Sequence, residues 1–190
     1  MENGASIEIS PSSAAEICAR FVLDQNARPL LLEGMGTRQF VESLVENKRY
    51  RAAIDFMAHA LPARQAIWWG CLCLQHAMGD KLTELDKSAV AAAVRWVLQP
   101  TEENRIAAKA PAEKAGYSSA AATLARAANW TGGSLGPPDM PPLPPGPFMP
   151  AEAVATAIKF ATVKVEPSKM VGTQRLFVEL GVEIAEGRHL

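Results

Sequence analysis

The sequence predicts an all-α protein, a compact multi-helix orthogonal bundle or a stack of helical hairpins with one Pro-rich extended segment. Three observations predict it. Apolar residues recur at three- and four-residue spacings in segment after segment. Caps, prolines and glycines punctuate those segments where helices begin and end. Convincing polar/apolar alternation is missing, and Thr162 to Val165, the one strand candidate, is short.

Ser13, followed three residues later by Glu16, has the pattern of a capping box and opens a helix through Ile17 and Phe21. Leu30, Leu31 and Leu32 follow Pro29 in a short element that Gly34 and Gly36 end. Thr37 reads as the N-cap of a helix with the stripe Phe40, Val41, Leu44, Val45, stopping near Asn47. Tyr50, Ile54 and Met57, with Phe56 beside them, define the next helix, ending at Leu61. Pro62 suits the first turn of a new helix, where its missing N–H has no partner to lose. That helix carries Ile67, Trp68, Trp69, Cys71, Leu72, Cys73, Leu74 and Met78, is apolar all round, and is therefore the expected centre of the core.

Gly79 closes the central helix, and a further helix from about Leu85 to Leu98 presents Val90, Val94, Val97 and Leu98, with Trp96 on another side. Thr101 starts the next, whose first turn holds Glu102 and Glu103 near the positive end of the helix dipole. Pro111 kinks or splits it. Ser118 or Ser119 begins an alanine-rich helix ending near Trp130. From Gly136 to Pro150 the composition favours extended polyproline II. Pro150 and Ala151 then open a helix through Ala153, Ala157, Phe160 and Ala161. The last runs from about Ser168 through Leu176, Phe177 and Leu180, with Gly172 and Gly181 as weak points. The domain reading is a flexible N-terminus over 1–10, a helical core over 11–135, a Pro-rich strap or linker over 136–150, and a C-terminal helical hairpin over 151–190 packed on that core.

Composition narrows the function classes. A chain of 190 residues, 48% hydrophobic and 21% charged, supports one sizeable core. Its 19 basic and 20 acidic residues are interspersed, which argues against a strong field for nucleic acid or an anionic membrane. The apolar run from Ala66 to Leu74 is far short of the ~20 residues needed to span a bilayer, so membrane insertion is not expected. Three cysteines make no disulfide framework. The opening residues lack the basic and apolar regions of a secretory signal. The expected compartment is the reducing cytoplasm.

Candidate chemistries fare poorly against plainer readings. Cys71, Cys73 and His76 are the most tempting cluster, but Cys71 and Cys73 diverge on a helix. Cys18, His59 and His189 are distant in sequence, so no metal site and no cofactor is expected. A Cys–His nucleophilic pair needs an accessible thiolate, whereas these cysteines sit in the most apolar stretch of the chain. Asp55 and His59, four apart, have the spacing of half a catalytic dyad and equally of an ordinary boundary pair, and no placed nucleophile accompanies them. Glu102 and Glu103 read as helix-start charges. Gly34-x-Gly36 lacks the third glycine and the preceding strand of a phosphate cradle. Trp68 and Trp69 are expected to anchor the core, as is Arg64 to act through stability. The Pro-rich segment is a strap or linker in the first reading and a partner-docking motif in the second, with Pro141, Leu143, Phe148 and Met149 as the candidate partner-binding residues.

The run His59-Ala-Leu-Pro-Ala-Arg64-Gln-Ala-Ile-Trp68-Trp69-Gly-Cys71 resembles the hallmark of an uncharacterised bacterial family, a domain of unknown function. Ala15, Cys18 and Phe21, the run Arg95-Trp96-Val97 and the stretch Trp130 to Leu135 carry the same resemblance, which extends from about Ala14 onward. It brings no activity with it. Some members lie near type VI secretion genes, so the resemblance implies an accessory or adaptor in effector loading. The expected function is a non-enzymatic, protein-binding adaptor or chaperone-like protein whose partner is a secretion component or effector. Two alternatives stand beside it: a small enzyme using His59 with Asp55 or His76 with Cys73, and a structural homo-oligomer packed through the alanine-rich segment 119–128.

Overall fold

The computed structural model describes residues 13–137 and 139–188. The 1–10 segment and His189 lie outside the described residues. Ten α-helices are present among those described: α1 (Ala14–Cys18), α2 (Thr37–Glu46), α3 (Tyr50–Ala60), α4 (Ala63–Met78), α5 (Glu84–Leu98), α6 (Glu102–Ala107), α7 (Lys109–Ala115), α8 (Ala120–Asn129), α9 (Met149–Thr162) and α10 (Met170–Ala185). Short 3-10 turns at Arg28–Leu30 and Gly79–Lys81 join two pairs of them, and no strand occurs among the described residues. The all-α expectation holds. Thr162 to Val165, the strand candidate, is the end of α9 and the turn after it.

Helix starts follow local chemistry. The Ser13 N–H donates to Glu16 Oε2 at 3.0 Å and the Glu16 N–H returns to Ser13 Oγ at 3.2 Å, so both orphan donors are satisfied within four residues. Thr83 and Asp86 repeat the device on α5. Thr101 and Ser119 accept from the amides of Asn104 and Ala122 to start α6 and α8. The cap of α2 falls one residue earlier than expected. Gly36 is the N-cap, and its N–H donates to Gln39 Oε1 at 3.0 Å in place of a threonine hydroxyl. Pro111 does split its segment, leaving α6 and α7 joined at Ala108.

α4 is the central helix, packed against α5, α8, α9 and α10. Its Trp69 is fully buried and donates its indole N–H to the Phe177 carbonyl of α10 at 2.7 Å. Two glycines set how closely neighbours approach. A Cβ on Gly70 would stand 2.5 Å from Leu124 Cδ1 of α8, and one on Gly181 would stand 3.0 Å from the Trp69 ring. Gly181 is thus a contact residue of α10 rather than a weak point. α3 packs against α1, α2, α9 and α10, and its Phe56 meets Phe40 of α2 edge-on at 4.9 Å. Such aromatic pairs contribute about 0.5–1.5 kcal/mol beyond area burial.

Two helix faces differ from the sequence reading. On α5 the buried positions are Ala89, Ala92, Ala93, Trp96 and Val97, while Leu98 is exposed. Alanine buries little area by itself, so the periodicity of valines misdirects the face. Small residues instead make up most of the buried face of α5, which packs against α4, α7 and α8. On α9 Phe160 is exposed, and Val154 and Ile158 fill the core among alanines. One hydrophobic cluster runs from Ala14 to Ala185 and includes α9 and α10, each of which packs on α3 and α4.

Candidate functional site

Three regions carry the residues that the sequence singles out. The first is the Pro-rich segment, which leaves the end of α8 and returns at α9. Arg105 of α6 anchors its start. The guanidinium takes a two-point grip on Glu102, at 2.7 Å for each bond, and donates to the Asn129 carbonyl at 2.6 Å. The Asn129 side-chain amide donates back to the Arg105 carbonyl at 3.0 Å. Gly133 follows at φ +75°, with Arg105 filling the space a side chain would need. Glu102 is therefore half of a structural pair, and Arg105, which sequence reasoning passed over, is the residue that fixes where the loop begins. A carboxylate three positions before an arginine was the available signal.

The loop is closed on itself. The Leu135 N–H donates to the Leu143 carbonyl at 2.8 Å, and the Leu143 N–H donates to Ser134 Oγ at 3.0 Å. These bonds hold the backbone and leave the side chains outward. Pro141, Leu143 and Phe148 are all exposed, and Met149 is half-buried. Between the loop and α6 lies a groove of about 590 Å³ lined by Ile106, Leu135, Met140, Pro142 and Lys109 among others. Ile106, Leu135, Met140 and Leu143 are 55%, 41%, 59% and 60% exposed, a concentration of apolar surface at one place. Phe148 and Met149 lie apart from it. Phe148 caps α9 and faces His59, and Met149, inside α9, accepts the Gly146 N–H on its sulfur at 3.2 Å. The four candidate residues thus divide into Pro141 and Leu143, exposed on the loop, and Phe148 and Met149 at the start of α9, of which Phe148 is exposed yet within ring contact of His59 and Met149 is half-buried.

The second region is His59, on the last turn of α3. Asp55 does not pair with it through the carboxylate. That carboxylate takes Lys159 of α9 at 2.5 Å, while His59 Nδ1 lies 2.7 Å from the Asp55 backbone carbonyl and so carries the proton. The ring stacks on Phe21 at 4.7 Å, and Arg20 Nη1 donates to the His59 carbonyl at 3.0 Å. His59 is 5% exposed, and its Nε2 has no hydrogen-bond partner among the described residues. Burial, working first, holds its pKa below the ordinary histidine value despite the nearby Asp55 and Glu152. Beside it opens a cleft of about 630 Å³ lined by Arg20, Phe21, Val22, Asp55, Glu152, Thr156 and Lys159.

The third is the cysteine pair of α4. Cys71 and Cys73 are buried, and burial pushes the Cys71 thiol up to about 12 and the Cys73 thiol well above its usual range. His76 is exposed and meets the Phe177 ring edge-on at 6.1 Å. No group of three or more His, Cys, Asp or Glu side chains that could hold a metal occurs among the described residues. Arg64, two turns earlier, donates to the Val97 carbonyl at 2.6 Å and so satisfies the end of α5.

A family described as a family of unknown function, DUF6931, matches residues 40–185. The chain belongs to DUF6931. The matched span takes in α3 through the last turn of α10, and with them His59, the tryptophan pair, Arg105 and the whole Pro-rich loop. α1, with Ala15 and Cys18, lies before it. Membership in DUF6931 agrees with an uncharacterised domain family and brings no activity. Neither the curated proteins nor the solved structures contain a match to this chain. No helix among the described residues is long and apolar enough to cross a membrane.

Proposed function

We propose that this DUF6931 protein is a non-enzymatic adaptor that binds another protein through the groove beside its Pro-rich loop. The observation that carries the reading is the exposure of Leu135, Met140 and Leu143 on a loop whose backbone is already held, with Ile106 of α6 exposed across the groove. Large apolar side chains cost free energy in water, at roughly 25 cal/mol per Å². A loop pinned by Arg105, Ser134 and Leu135 presents them with little ordering left to lose on binding. The partner segment that fits is an extended one with apolar side chains, because prolines leave the loop unable to donate a full ladder and Ile106, Leu135, Met140 and Pro142 line the groove between its polar residues.

Features elsewhere agree with a binding role. The thiols of Cys71 and Cys73 are held in their neutral form, and His59 Nε2 is closed from solvent, so neither is poised for nucleophilic or acid–base work. The alanine face of α8 is spent inside the chain against α5, α7 and α9, which leaves a homo-oligomer to use another surface. The resemblance of the sequence to a family with members near type VI secretion genes supports a secretion component or effector as the partner, met in the cytoplasm.

A photo-reactive residue placed at Leu143, with the still more exposed Tyr117 as the control position, tests the reading in the native host. A protein cross-linked from Leu143 and not from Tyr117, whose purified form binds wild type and loses affinity at least about tenfold for Met140→Asp, is the expected result. Equal labelling from both positions overturns it.

A further inference from the structure

Three segments of the chain meet at the His59 ring. Phe21, just after α1, stacks on it at 4.7 Å, and Phe148, the N-cap of α9, stands 6.3 Å from it. Arg20 ties the two sides together. Its Nη1 donates to the His59 carbonyl at 3.0 Å, and its guanidinium lies 5.9 Å over the Phe148 ring. Within this stack Nδ1 is held by the Asp55 carbonyl, while Nε2 is buried with no hydrogen-bond partner among the described residues.

Such a ring fits its place only while it is neutral. With Nδ1 donating, the neutral ring leaves a single acceptor unmatched at Nε2. Protonation would put an N–H and a full charge at the same buried point, and a buried charged donor without a partner is far more costly than a buried neutral acceptor. The charged groups nearby offer no partner in place. On α3 the Asp55 carboxylate holds Lys159 of α9. Arg20 brings like charge. Glu152 of α9 is the carboxylate of the adjoining cleft that Lys159 does not hold, and it is exposed. A charged ring reaches water or Glu152 by leaving its stack on Phe21.

α1 has little to hold it once that stack is gone. A helix of five residues does not persist in isolation. Its buried residues are Ala14, Ile17 and Cys18, it packs against α3, and the Ala14 N–H donates to the Met35 carbonyl at 3.0 Å. We propose that the seam between α1, the end of α3 and the start of α9 is a pH-sensitive latch, in which protonation turns the His59 ring out of its stack toward Glu152 and α1 lifts from α3 while the core stays folded. Acidification thereby uncovers the apolar surface that Ala14, Ile17 and Cys18 share with the body. The latch is independent of the adaptor reading, since the cleft shares no lining residue with the groove.

Cys18 reports the opening, because it is buried on α1 whereas Cys71 and Cys73 are buried on the central α4. The full chain is reacted with a dipyridyl disulfide, and each labelling rate is divided by that of the urea-unfolded chain at the same pH, which removes the titration of the thiol itself. For an open ring that titrates at the ordinary value of 6.5 and a closed ring that stays neutral, the Cys18 ratio rises about tenfold between about pH 7.5 and about pH 5.5. Cys71 and Cys73 are expected to stay protected over that range, and His59→Phe to abolish the rise. His59→Gln, which cannot titrate either, serves if the phenylalanine variant does not fold. A Cys18 ratio that does not change with pH overturns the proposal. So does a rise shared equally by Cys71 and Cys73, which marks global unfolding, or a rise that survives in the His59 variant.

Discussion

His59 puts a price in pH on the fold that can be measured directly. Its folded pKa lies below the ordinary value of 6.5, so at mildly acidic pH the unfolded chain binds a proton that the folded chain refuses. Stability contributed by the neutral ring is therefore fully present above 6.5 and is lost as pH falls from there toward the folded value. Thermal melts across this window should show the midpoint dropping on acidification, and His59→Phe should flatten the curve. A variant with the same slope as wild type would move the effect to another group.

Two glycines of α10 make a second test at the same scale. Gly181→Ala brings a methyl to 3.0 Å from the Trp69 ring and 3.2 Å from Met57, and overpacking of that kind costs about 1–3 kcal/mol. Gly172→Ala meets nothing within 4 Å, and removing a helical glycine there should stabilise by roughly 0.5–1 kcal/mol. Urea melts of the two variants should move in opposite directions. Sequence alone sees both as breaks in a helix. Only the approach of α4, set by residues more than a hundred positions away, tells them apart.

Among the elements, α5 and α8 are tied by one carboxylate. Asp86 accepts from the Thr83 hydroxyl at 2.7 Å and from the Ser119 hydroxyl at 2.5 Å, so it completes its own helix's cap and reaches the cap of α8. Thr83→Ala should cost about 0.5–2 kcal/mol as a lost cap. Asp86→Ala should cost more, and an Asp86→Ala/Ser119→Ala cycle should give a coupling of about 0.5–2 kcal/mol. Additive losses would mean that the contact contributes nothing across the helix pair. The caps themselves were legible, because a hydroxyl and a carboxylate three apart act within one turn: Ser13 with Glu16 is the case read from the sequence. The faces of α5 and α9 were not. There most buried positions are alanines, Ala89, Ala92 and Ala93 on α5 and Ala153, Ala155, Ala157 and Ala161 on α9, and alanine carries little hydropathy signal of its own.

At the scale of the whole molecule, a single apolar cluster from Ala14 to Ala185 argues for one cooperative unit. Tryptophan fluorescence and far-UV circular dichroism should report one coincident thermal transition, and two separated transitions would divide the chain. The fold class and the central helix were legible, since an all-round apolar helix has nowhere to go but the middle. The candidate site was legible only in part. Proline composition located the loop, but Pro141 and Leu143 belong to a stretch that Ser134 and Leu135 close, while Phe148 and Met149 belong to the start of α9.

The bond from Trp69 to the Phe177 carbonyl has a consequence for how the protein is made. Its two residues are 108 positions apart. At about 5–20 residues per second, a ribosome delivers α10 roughly 5–20 s after α4. Throughout that interval the indole that will end at the centre of the nascent protein lacks its acceptor and the cover that α10 supplies. The half-made chain is then a natural client for a holdase, and synthesis halted before α10 should leave a product that such a chaperone retains and the finished protein does not.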